Sequence, residues 1–160
     1  MSFLGGEENL QQERVKSGAR GEKVAELALY QAGFRAIERV ENAWSVIRRG
    51  GKVVSAFPKA KVSADFWAVV PGSGRAVRVE VKSTKVKTLS LSGFRDHQLY
   101  ELERFNQLGG LSLLAWVSGG ECILYEWPIL GFEKGAPLKW PSGGLSPEGV
   151  VFWLRRVSRG

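Results

Sequence analysis

The sequence predicts a mixed α/β domain, and three observations carry that prediction. An apolar stripe at three-and-four spacing runs through Ala19–Ala32 and stops at Gly33. Two short strand patterns, Phe66–Val70 and Ala76–Val81, flank the turn Pro71-Gly72-Ser73-Gly74. A second helical pattern, Asp96–Leu108, closes on Gly109-Gly110 and leads into the charge-free run Leu111–Val117. The order is helix, three strands, helix, two strands, which places helices against a central mixed sheet.

Taken in order, residues 1–17 are polar, with Gly5-Gly6 and several charges, and read as a flexible N-terminal arm. Residues 18–160 read as one domain. In the first helix Val24, Leu27, Ala28 and Ala32 form the expected buried stripe, while Glu22 and Glu26 stand one turn apart. Phe34, Ala36 and Ile37 lead to Val40 and a first strand or loop around Trp44–Ile47. Arg48-Arg49-Gly50-Gly51-Lys52 reads as a basic loop, followed by Lys59 and Lys61 just before Asp65. Lys85 and Lys87 then precede a linker through Ser90 and Gly93. Asp96 opens or caps the second helix, whose apolar side is Leu99, Leu102, Phe105 and Leu108. Leu111–Val117 suits a central strand, Cys122–Trp127 its neighbour, and Val150–Leu154 an edge strand.

Composition narrows the partners. A net charge of +7 favours a polyanion, and with no basic amphipathic helix or lipidation motif that polyanion is nucleic acid rather than a membrane. The one cysteine, Cys122, excludes an internal disulfide and a multi-cysteine zinc site, and its apolar setting reads as a buried structural thiol. The one histidine, His97, excludes a two-histidine nuclease mechanism. The cations at Arg48, Arg49, Lys52, Lys59, Lys61, Lys85 and Lys87 are candidates for contacts to a phosphate backbone. The bland alternative for each is a solvated charge.

In the strand Ala76–Val81, Val77, Val79 and Val81 share one face, and Arg78, Glu80 and Lys82 the other. A hairpin brings Asp65 back toward Glu80. Two converging carboxylates beside a lysine suit a hard divalent cation such as magnesium, with Lys82 placed to orient water or meet developing negative charge. The spacing alone also fits an exposed strand carrying a surface ion pair.

The wider pattern resembles the PD-(D/E)xK nuclease superfamily, and within it two groups of Holliday junction resolvases. Gly18-Ala19-Arg20-Gly21-Glu22, with Gly33-Phe34 eleven residues after the glutamate, is similar to the first motif of the archaeal Hjc type. Glu80-Val81-Lys82-Ser83-Thr84 is similar to that group's E-x-K-S/T-T motif. Ala64-Asp65-Phe66-Trp67, the lysine-rich Lys82–Leu91 and Asp96-His97-Gln98 resemble the bacterial RecU type. The resemblance spans Gly18 to Val117. It departs in lacking a proline before Asp65, and the segment Arg48–Lys61 is short beside the stalk insertion of RecU proteins.

The resemblance implies a restriction-endonuclease-like fold and a magnesium-dependent endodeoxyribonuclease, with manganese able to substitute. Such an enzyme cuts four-way DNA junctions by paired symmetric nicks in recombination and repair. It implies Asp65, Glu80 and the Val81 carbonyl as metal ligands, Glu22 reaching the metal from the helix start, and Lys82 as the water-positioning group. Gln98 would support the site, Ser83 and Thr84 would contact phosphate, and Glu26 is the alternative to Glu22. A homodimer, no membrane association and a cytoplasmic setting in a prokaryotic cell or phage-infected host are expected with it. Another nuclease on the same fold, a repair nickase or restriction-type enzyme, and a non-catalytic junction-binding protein are the competing readings.

Overall fold

The computed structural model describes residues 5–41, 44–58, 64–141 and 150–154. Helix α1 spans Gly5–Gln31, so the helix expected from Ala19 begins a dozen or so residues earlier. The segment before Ala19 is rich in Glu, Gln, Lys and Arg and free of proline, a composition that propagates a helix without an apolar stripe. Gly33 adopts φ 103° beyond the helix end. The Phe34 amide donates to the Leu29 carbonyl and the Gly33 amide to Tyr30, the paired bonds that satisfy the last carbonyls of a helix around a left-handed residue.

The buried face of α1 differs from the expected one. Gly21, Ala25, Ala28 and Leu29 are buried, whereas Leu27 is 48% exposed. Small residues decide this rotation, because they let the helix lie close to the sheet. A Cβ on Gly21 would sit 1.9 Å from Ser83 Oγ and 3.1 Å from Ser83 Cβ. The second half of the helix is thereby pressed against the end of a strand.

That strand, β5 (Ala76–Ser83), lies inside a six-stranded sheet. The others are β1 (Arg35–Arg39), β4 (Phe66–Val69), β7 (Leu111–Ser118), β8 (Glu121–Glu126) and β10 (Val150–Leu154), in the order β1-β4-β5-β7-β8-β10. β5 and β7 run parallel, with Val81 opposite Ala115; the remaining neighbours are antiparallel. Helix α1 covers one face, over Val77, Val79, Leu113, Ala115 and Leu124. On the other, α2 (Asp96–Gln107) and the segment after β8 cover Leu114, Trp116, Ile123 and Tyr125. Because both faces are covered, β7 is buried along its whole length, as its charge-free sequence predicts. Trp116 meets Trp140 edge to face, with centroids 4.9 Å apart. Cys122 is fully buried, and burial pushes its thiol up to about 12, the inert role expected.

Two local expectations change. Arg48–Lys52 is not a loop but the tip of a hairpin, β2 (Trp44–Arg49) and β3 (Lys52–Pro58), which forms a two-stranded sheet of its own. Gly50 and Gly51 both take positive φ, 57° and 78°, the geometry of a tight hairpin turn. β1 is a further strand ahead of it, hidden in sequence because Arg35, Glu38 and Arg39 leave no apolar alternation. Short strands β6 (Thr88–Leu89) and β9 (Leu138–Lys139) pair with each other, and β10 takes the expected edge. Among the described residues no helix is long and apolar enough to cross a membrane.

Candidate active site

The site grows from the strand that the sequence singled out. Asp65 precedes β4, and its backbone is pinned on both sides: its amide donates to Val79 and its carbonyl accepts from Val40. The carboxylate then turns onto β5, where Oδ2 accepts the Val81 amide at 2.7 Å. Fixing both backbone and one oxygen leaves little rotamer freedom, so the aspartate is held ready before any ligand arrives. Burial raises its pKa, opposed by the Val81 hydrogen bond and then by the Lys82 and Arg39 charges.

Glu80 is only 4% exposed, although its strand position would ordinarily face water. Helix α2 closes over this face and supplies Gln98. The Gln98 carbonyl accepts from Lys82 Nζ at 2.9 Å and from the Arg95 amide at 3.0 Å, while its Nε2 donates to Glu80 Oε1. Three partners fix which way the amide points. Lys82 Nζ also lies 3.5 Å from Glu80 and 4.7 Å from the Phe94 ring centroid. One glutamine therefore caps the helix, holds the lysine and holds the glutamate.

Glu22 reaches the same region from α1. It shares a cleft of about 520 Å³ with Asp65, Val81, Ser83 and Lys85. Its carboxylate forms an ion pair with Arg39 of β1. Burial raises the Glu22 pKa, the Arg39 charge opposes this, and the Asp65 charge adds to it. Glu26 lies on a different cleft, with Tyr30 and Arg35. The geometry thus gathers Glu22, Asp65 and Val81 in one cleft, and Glu80, Lys82 and Gln98 in one hydrogen-bonded row, with Asp65 acting electrostatically on both glutamates.

Among the described residues no three acids are close enough to cage a cation by themselves. Magnesium does not need such a cage, since one or two carboxylates with water and substrate oxygens suffice. The acid pair Asp65 and Glu80 fits that demand: the Glu80 carboxyl is pushed up to about 7, first by burial and next by the Asp65 charge. A buried carboxyl that a neighbouring negative charge holds up is one whose ionised form a cation stabilises.

This shift has a sign that can be checked. The Glu80 carboxyl titrates near 4.5 when unfolded and near 7 when folded, so the folded chain holds a proton the unfolded chain has lost between those values. Stability from this group is full below 4.5 and falls as pH rises through 7. Glu80→Gln is expected to be more stable than wild type in chelator above the native value, with the gap closing toward the unfolded one. Thermal unfolding across that range reads the result, and a gap independent of pH would overturn it.

The other expected contacts divide. Thr84 is spoken for internally: its hydroxyl accepts the Trp116 indole N–H and donates to the Val86 carbonyl, each at 2.7 Å. The hydroxyl is thus engaged within the fold. Ser83 is exposed beside Gly21, and Lys85 is exposed on the cleft. The Lys87 ammonium lies 4.2 Å from the Trp140 ring centroid and 3.5 Å from the Ser118 carbonyl. Arg48, Arg49 and Lys52 are exposed on the β2–β3 hairpin, while Lys59 and Lys61 lie outside the described residues. Sequence reasoning missed Arg39, whose strand carries no apolar pattern, and Glu101, whose partner Arg78 is only 2% exposed.

The carboxylate–lysine row thus lies on β5, an interior strand of the mixed sheet, with Asp65 beside it. The family model for Recombination protein U (RecU) matches residues 30–127, more than half of the chain and the part that holds Asp65, Glu80, Lys82 and Gln98. The chain belongs to this family, the RecU Holliday junction resolvases, and is an endonuclease that acts on DNA junctions. Among solved structures it is similar to Archaeoglobus fulgidus Hjc, a Holliday junction resolvase from an archaeal hyperthermophile. That likeness has a TM-score of 0.46 and 22% identity, and covers 85% of this chain and 86% of the other. Comparison with curated proteins returns no match.

Proposed function

We propose that junction cleavage here runs on Asp65, Glu80, Lys82, Gln98 and Glu22 with magnesium, or manganese in its place, and that a homodimer delivers paired symmetric nicks. The row Glu80–Gln98–Lys82 beside the clasped Asp65 carries this reading. Asp65, Glu80 and the Val81 backbone would hold the metal, with Glu22 reaching it from α1. Bound there, it would acidify a water and polarise the scissile phosphodiester.

The chain's own residues do the rest. Gln98 keeps Lys82 at hydrogen-bond reach and pointing along the acid pair, so its ammonium meets negative charge developing on the phosphate oxygens. Glu22 is held by Arg39. Arg48, Arg49, Lys52, Lys59, Lys61, Ser83, Lys85 and Lys87 remain the proposed contacts to DNA. Recognition is of branched shape, because the described elements offer no helix-turn-helix for base readout. A two-fold dimer presents two such centres to a nearly two-fold substrate. The setting proposed is the cytoplasm of a prokaryotic cell or phage-infected host.

The test is a labelled four-way junction beside its matching linear duplex, with magnesium, manganese or chelator. Paired nicks in the junction alone, lost in chelator, are expected. Cutting of the linear duplex at equal rate would leave the metal centre and discard junction selectivity. Tight binding with no cutting in any metal would discard the catalytic assignment.

A further inference from the structure

A second groove runs beside the catalytic cleft, over the middle of α1. It encloses about 790 Å³ between α1, the end of β5 and the β7–β8 turn. Ser17, Ser83 and Lys85 line both spaces, so the two are continuous. Their charge is opposite. Glu13, Glu22 and Asp65 line the catalytic cleft, whereas the second groove is lined by Arg20, Lys23 and Lys85 and by no acid. All three cations are exposed, and among the described residues none of them forms an ion pair or a side-chain hydrogen bond. Gly119 and Gly120, both at positive φ, form the turn on the opposite wall, where the lack of side chains admits close approach of a backbone. Ser118, on the same wall, is 2% exposed and its hydroxyl has no hydrogen-bond partner among the described residues.

We infer that this groove is a second phosphate subsite, which takes the sugar–phosphate backbone of the cut strand immediately beside the scissile phosphate. The inference rests on the proposed catalytic centre, because continuity with that cleft is what fixes which strand enters. Arg20 and Lys23 lie three residues apart on α1, and Lys85 follows the end of β5, so a backbone in the groove meets cations from two elements. The groove carries no donor–acceptor pattern suited to base edges; its contribution is to position the strand.

The experiment measures junction affinity against salt for the full chain and for Arg20→Gln/Lys23→Gln, each carrying Asp65→Asn to prevent cutting. The double variant is expected to flatten the slope of log K against log salt by about two, one for each cation. Arg20→Lys/Lys23→Arg should restore it, which a folding defect would not allow. Methylphosphonates flanking the scissile position should weaken the parent and leave the double variant unaffected. A slope equal to the parent's, with junctions still bound and cut by the wild type, would overturn the groove alone. A wild type that neither binds nor cuts junctions would overturn the catalytic reading, and the groove with it.

Discussion

Asp65→Asn is expected to slow single-turnover junction cleavage by on the order of 10³-fold, about 4 kcal/mol of barrier, while junction affinity in chelator is unchanged or tighter. The substitution is nearly isosteric and keeps an oxygen for the Val81 amide, so the clasp that positions β4 against β5 survives. What disappears is the charge that acts on both Glu22 and Glu80 and that would share a cation with Glu80. Removing a negative charge also eases the approach of phosphate, hence the retained binding. Cleavage within tenfold of wild type at saturating protein would move the centre away from Asp65.

Glu101→Leu is expected to lower unfolding free energy by about 3 kcal/mol, the lower end of the cost of stranding one member of a buried ion pair. Arg78 is 2% exposed, and its Nη1 rests on Glu101 Oε2 at 3.0 Å. After the substitution Nη1 keeps only the Glu101 backbone carbonyl at 3.4 Å, and Nε and Nη2 already lack hydrogen-bond partners among the described residues, so the buried charge has no carboxylate left to meet it. Its guanidinium lies 6.0 Å from the Trp67 ring centroid, too weak a contact to replace a carboxylate. Arg78→Met with Glu101→Leu should recover most of the loss, since an apolar pair of similar volume needs no desolvated charge. Urea unfolding of the two single variants and the double distinguishes this from simple loss of helix packing, in which the double would be worse than either. The pair also bears on function, because the Arg78 charge is among those that oppose the raised pKa of Glu80.

Much of this protein was legible from local sequence. The turn Pro71–Gly74 and the valine alternation specify the β4–β5 hairpin, and the charge-free Leu111–Val117 specifies a strand buried on both faces. Gly33 specifies where α1 stops. A two-residue period and a hairpin bring Glu80, Lys82 and Asp65 together without reference to any other part of the fold, and the family resemblance separated a site from a surface ion pair. The family motif added Gln98, which no local pattern distinguishes from a surface glutamine.

Tertiary structure decided the rest. Which face of α1 is buried turned on the close approach at Gly21–Ser83, a contact between residues distant in the chain that makes small side chains outrank Leu27. Arg39 became the partner of Glu22 because β1 pairs with β4 and so ends beside Asp65. The Thr84 hydroxyl accepts from Trp116, for a buried indole N–H needs an acceptor and β7 supplies the indole opposite β5. By itself the sequence determined the β4–β5 hairpin, the buried strand β7, the first helix's end and the convergence of Asp65, Glu80 and Lys82, since these depend on backbone periodicity and residue type. Burial, pairing and helix rotation depend on which surfaces meet, and only the packed sheet settled those.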